Sequence, residues 1–152
     1  MIKIIMISVC VLFGPTVFAQ TEKIIITTED SIQSVITELF KGMLDADSSR
    51  IQNTFANSAI LQTIAKNKEG QVHIETEKVS DFASSVAKMK KGDADEKVEF
   101  NQIFIDGPLA SVWAPYKFYY KGKYSHSGID SFQLVRINGE WKIQYLIDTR
   151  RK

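Results

Sequence analysis

The strongest constraint on this chain lies in residues 98–149, where four runs rich in β-branched and aromatic residues follow one another. The runs cover 98–105, 109–120, 125–137 and 140–149. Asp106-Gly107, Lys121-Gly122-Lys123 and Asn138-Gly139 separate them. Asn-Gly between strands is the strongest short-range hairpin signal, because both residues accept the positive φ of a tight turn. Strands joined this closely run antiparallel, so the chain must bury one face of a meander against other elements.

Those elements lie upstream. Residues 29–44 place Ile32, Val35, Ile36, Leu39, Phe40 and Met43 at spacings of three and four, one face of a helix. Thr27 or Thr28 is placed to cap it, and Glu29 and Asp30 fall in the first turn, where the helix dipole favours negative charge. Asp45-Ala46-Asp47 ends it, and Asp47 or Ser48 can cap a short second helix carrying Ile51 and Phe55. Residues 59–64 then read as a strand, Asn67-Lys68-Glu69-Gly70 as a turn, and residues 72–75 as a short hairpin arm. Helix spacing returns over 79–90 through Phe82, Val86 and Met89. Two helices, a hairpin, a helix and a long antiparallel sheet define an α+β fold with helices on one face.

The N-terminus reads differently. Met1-Ile2-Lys3 is a short positive start, residues 4–13 are almost unbroken apolar, Gly14-Pro15 breaks the run, and Val17-Phe18-Ala19 suits cleavage before Gln20. That is the layout of a secretory signal peptide, and the run is too short for the ~20 residues of a spanning helix. Residues 1–19 are therefore expected as a leader and 20–152 as one domain, exported to the periplasm or secreted, with no membrane attachment after cleavage. The only cysteine, Cys10, lies in that leader, so disulfides, thiol nucleophiles and cysteine metal sites are excluded from the mature domain. Losing Lys3 from 19 basic residues leaves 18 against 18 acidic ones. A neutral chain that is 44% hydrophobic is not disordered, and it lacks the basic excess of a nucleic-acid binder.

Four segments carry a family resemblance. They are Leu39-Phe40-Lys41-Gly42-Met43-Leu44-Asp45-Ala46-Asp47, Leu109-Ala110-Ser111-Val112-Trp113, His126-Ser127-Gly128-Ile129-Asp130-Ser131-Phe132-Gln133-Leu134, and Asn138-Gly139-Glu140-Trp141-Lys142-Ile143. In this order they resemble the nuclear transport factor 2-like superfamily, in particular its SnoaL-like and "putative lumazine-binding" branch. The resemblance covers nearly all of residues 28–150. It implies a cystatin-like, cone-shaped barrel, a curved antiparallel sheet wrapped around the N-terminal helices. It also implies a homodimer through the outer sheet face, where Val135, Ile137 and Leu146 are expected as exposed apolar residues. The superfamily holds isomerases, cyclases, dehydratases and binding modules, so the fold does not decide the activity.

Strand alternation selects the candidate site. Phe132 and Leu134 should face the core, which puts His126, Gly128 and Asp130 on the same concave side. About 13 Å of strand separates His126 from Asp130, too far for a direct hydrogen bond. Both are candidates to orient a ligand or to act as general base. The plainer alternative is a solvent-facing His and an Asp satisfying backbone groups. On 140–149, strict alternation groups Trp141, Ile143, Tyr145, Ile147 and Thr149, leaving Lys142, Gln144, Asp148 and Arg150 outward. Ser111 and Trp113 should oppose Ala110, Val112 and Ala114, with Pro115 disturbing the register beyond them. Trp113, Tyr116, Phe118 and Tyr145 complete the expected ligand-binding set.

Three functions follow. The leading one is a non-catalytic domain that takes a small apolar or aromatic ligand. The second is a SnoaL- or ketosteroid-isomerase-like enzyme with Asp130 or His126 as base and a tyrosine as electrophile, although no second acid can be placed beside them. The third is a structural or protein-interaction module. No cofactor and no metal are expected: His73 and Glu75 share strand parity, but two such residues do not make a metal site. G-x-S-x-G does not occur in the mature chain, and no phosphate-cradling Gly-rich loop is present.

Overall fold

The computed structural model describes residues 27–152; the expected leader lies outside the described residues. The first helix, α1 (Thr28–Asp45), opens with a reciprocal cap. Asp30 N donates to Thr27 Oγ1 at 3.0 Å and Thr27 N donates to Asp30 Oδ2 at 2.9 Å. A short helix α2 (Ser48–Thr54) follows, capped by Asp47. Phe55, expected on that helix, instead begins strand β1 (Phe55–Lys66). Strand β2 (Val72–Glu77) pairs back on β1, and α3 (Val79–Ala87) packs Ala83 and Val86 into the core.

The expected strand over 98–105 is two strands, β3 (Ala94–Val98) and β4 (Gln102–Asp106). Both lie antiparallel along the same edge of β5 (Leu109–Tyr120), β3 beside Tyr116 to Tyr120 and β4 beside Leu109 to Trp113. The break falls opposite Pro115, which has no N–H to give a neighbouring strand. Its carbonyl still accepts from Glu99 N at 2.9 Å. On its other edge β5 keeps its register with β6 (Lys123–Ile137) through Pro115 as far as Phe118 and His126; the shift comes further on, between Phe118 and Tyr119, where β6 carries the extra residue Ser125. The sheet ends with β7 (Glu140–Thr149), joined to β6 by Asn138-Gly139, whose φ values of 51° and 86° are those a tight hairpin needs.

The strand order is β2-β1-β7-β6-β5-β3, with β4 also on β5. All pairs are antiparallel except β1 with β7. The sheet curves without closing, and α1 lies in its concave face. Ile32, Ile36, Leu39 and Phe40 meet Phe132, Leu134 and Ile143 there, with the Phe40 and Phe132 rings edge to face at 6.4 Å.

One irregularity decides which residues face that concavity. Between the pairs Gln133–Tyr145 and Leu134–Ile143, β7 carries one extra residue, Gln144. A bulge of this kind reverses side-chain alternation beyond it. Trp141 and Ile143 point inward as expected, but past the bulge Leu146 and Asp148 are the buried residues. Tyr145 turns to the outer face, where its hydroxyl donates to Gln62 Oε1 at 2.7 Å. The expected outward placement of Asp148 and Arg150, and the expected exposure of Leu146, are thereby corrected.

Candidate functional site

The helices fill only one end of the concave face. At the other end a cavity of about 440 Å³ remains. Leu39, Phe40 and Met43 of α1, Leu61 of β1 and Leu146 of β7 form its apolar part. Ionisable groups from the sheet line it too: Glu96 on β3, Tyr116 on β5, His126 and Asp130 on β6, and Asp148 and Arg150 at the β7 end. The rim includes Glu75 and Glu77 of β2 and Phe82 of α3.

Register brings the charges together. Asp130 and Asp148 are direct cross-strand partners, and both are buried. Like charges placed this way repel, so each needs its own compensation. Asp148 Oδ2 accepts from Arg150 Nε at 3.0 Å and from the Tyr116 hydroxyl at 3.1 Å. The Tyr116 hydroxyl also lies 2.9 Å from the Thr149 carbonyl oxygen, which accepts from it, and Arg150 reaches Thr63 Oγ1 at 3.1 Å. Burial alone would weaken the Arg150 charge, but Asp148 more than offsets this and holds its pKa above the usual value.

Asp130 is compensated by a proton. Its carboxyl hydrogen-bonds with that of Glu96. Burial, then the Asp130 charge and hydrogen bond, push Glu96 well above the usual carboxylate range. Burial also lifts Asp130, to about 7, although the Glu96 hydrogen bond pulls the other way. The pair therefore holds a shared proton near neutrality. Asp130 Oδ2 is buried with no hydrogen-bond partner.

Gly128 makes this arrangement possible. The Tyr116 ring crosses directly over it, and a Cβ there would lie 2.6 Å from the ring and 2.8 Å from the hydroxyl oxygen, and would collide with the Thr149 carbonyl. Burial, and then the charges of Asp148, Glu96 and Asp130, raise the Tyr116 pKa, so its hydroxyl stays protonated. His126 stands beside the rings of Tyr116 (5.7 Å) and Phe118 (5.1 Å). Burial and the nearby Arg150 lower its pKa, against the pull of Asp148, so the imidazole is neutral at pH 7.

Of the residues expected from sequence, Tyr116, Phe118, His126 and Asp130 line the cavity together. Trp113 and Tyr145 do not; Trp113 lies half-exposed on the outer face of β5. Sequence reasoning missed Glu96, Asp148 and Arg150. The alternation of Ala94, Glu96 and Val98 against Asp95 and Lys97 was a usable signal for Glu96, whereas nothing in the local sequence marks the bulge that turns Asp148 inward. His73 and Glu75, 3.1 Å apart, sit on the exposed strand β2. Among the described residues, no group of three or more His, Cys, Asp or Glu side chains is placed to hold a metal ion.

Solved structures share this architecture. A nuclear transport factor 2-like protein of unknown function from Shewanella baltica OS155 is 17% identical, with a TM-score of 0.64 over 82% of this chain and 94% of that one. A protein of unknown function with a cystatin-like fold from Nostoc punctiforme PCC 73102 is 15% identical, with a TM-score of 0.65 over 83% and 94%. A nuclear transport factor 2-like protein of unknown function from Methylobacillus flagellatus KT is 13% identical, with a TM-score of 0.66 over 86% and 97%. The fold class is thus nuclear transport factor 2-like. Within it, a family model described as "putative lumazine-binding" matches residues 27–145, and the chain belongs to that family. No curated protein matches the sequence.

Proposed function

We propose that this domain binds a small ligand in the open end of the cone and catalyses no reaction on it. The observation that carries the reading is the cavity itself, about 440 Å³, where apolar surface from α1, Leu61 and Leu146 meets a set of ionisable groups; a concave site of this size suits a small molecule. The isomerase-like alternative needs a hydroxyl free to stabilise an oxyanion. Tyr116 has committed its proton to Asp148 and the Thr149 carbonyl, and the negative charges on Asp148 and on the Glu96–Asp130 pair oppose a further one developing beside it. Native mass spectrometry of purified protein tests the binding role. A retained small molecule is the expected result; a spectrum of bare protein from cells that make it abundantly counts against the reading.

We also propose that the chain is exported, on the pattern of its first nineteen residues. N-terminal sequencing of the protein from its producing cells should find Gln20 first. An intact Met1 would remove the leader assignment.

A further inference from the structure

Among the described residues Glu96 and Asp130, in the cavity wall, form no ion pair, whereas Asp148, one strand away, is met by Arg150 at 3.0 Å. Asp130 is only 3% exposed, yet it lines the cavity and its Oδ2 accepts no hydrogen bond from the protein. Two carboxyl groups that share one proton keep a net negative charge and more acceptor sites than donors, so the pair can take a further donor. The same cavity also offers carbon and sulfur surface, from Leu39, Phe40 and Met43 of α1 and Leu146 of β7.

We propose that the cavity takes an amphipathic ligand with a cationic nitrogen head, a primary amine or protonated nitrogen heterocycle on a body of one or two rings, its nitrogen set against Glu96 and Asp130. This deepens the binding role proposed above and rests on it. An N–H donor would give the carboxyl pair a hydrogen bond that the protein does not supply, and its positive charge would offset the net negative charge the pair keeps when it shares one proton. An anionic ligand is disfavoured by the same count of charges. Glu96, Asp130 and Asp148 face the space, Glu75 and Glu77 stand at its rim, and the one guanidinium, Arg150, is already held by Asp148 and Thr63. His126 is neutral and Tyr116 has given its proton inward, so neither offsets that sign.

The test is calorimetric titration of the purified protein at pH 7 with three phenyl probes of similar size: 2-phenylethylamine, 2-phenylethanol and 3-phenylpropanoate. The amine should bind at least about tenfold more tightly than the other two. Asp130→Asn and Glu96→Gln, both near-isosteric, should each weaken the amine about tenfold and leave the alcohol within about twofold. If Asp130→Asn fails to fold, Glu96→Gln and the ranking of the probes still decide. An alcohol or carboxylate that binds as well as the amine overturns the cationic ligand while leaving the binding role intact. So does an amine preference that survives both substitutions. Failure of all three probes at millimolar concentration overturns both.

Discussion

One face of one sheet does two different jobs at its two ends. At the closed end, Phe132, Leu134 and Ile143 are fully buried beneath α1 and carry no polar atom in their side chains. At the open end, the continuation of the same strands presents Asp130 and Asp148, also buried, but against empty space. Only the first end is explained by stability. Burying apolar side chains drives folding, whereas burying carboxylates opposes it unless each is paired. The open end therefore marks where the fold gives up stability, and the changes that separate the two ends follow in order of size.

Phe132→Ala at the closed end should be the most damaging. It leaves a cavity beside Phe40 and should cost about 3–5 kcal/mol, read as a drop in the urea midpoint. A loss below about 1 kcal/mol would mean that the two ends are equally loose. Gly128→Ala comes next, because its methyl group cannot coexist with the Tyr116 ring and the Thr149 carbonyl. It should cost about 2 kcal/mol through displacement of Tyr116 and should also abolish probe binding. Stability unchanged by this methyl group would show that Tyr116 does not lie across Gly128.

Asp130→Asn should act in the opposite direction, and its effect should depend on pH. The folded pKa of Asp130 is raised to about 7 from an ordinary 3.8, so its protonation stabilises the fold. That contribution is complete below the unfolded value and is lost as pH rises through the folded one. The native protein should therefore lose stability progressively between about pH 4 and pH 7. Asp130→Asn should flatten that slope and be the more stable form at pH 8, by about 1–3 kcal/mol. Equal slopes in urea titrations of both proteins would show that Asp130 ionises freely in the fold.

The closed end was legible in the sequence, and the open end only half so. Helix spacing from Ile32 to Met43 and alternation through Phe132 and Leu134 are local patterns, and they identified the core and the inner position of Asp130. The partners of Asp130 were hidden for two separate reasons. Glu96 lies just before residue 98, where the strand was expected to begin, and its inward turn depends on pairing with β5. Asp148 is exchanged with Tyr145 by the extra residue Gln144, at a bulge that carries neither glycine nor proline. Alternation propagates an error of one residue to every position beyond it. The site was therefore half seen on β6 and inverted on β7.

That inversion yields the smallest expected effect and a sharp one. Trp113 and Tyr145 were expected in the ligand site by their chemistry, but both face away from the cavity, on the outside of the sheet. Trp113→Ala and Tyr145→Phe should each change stability by less than about 1 kcal/mol and leave probe affinity unchanged. Their role, if the homodimer implied by the family resemblance forms, is on that outer face, where Phe104, Leu109 and Ile137 are also exposed. Sedimentation should then show Trp113→Ala shifting the dimer toward monomer with the cavity unaffected. A variant that instead loses the probe while staying oligomeric would return Trp113 to the site and refute the inside–outside assignment of β5.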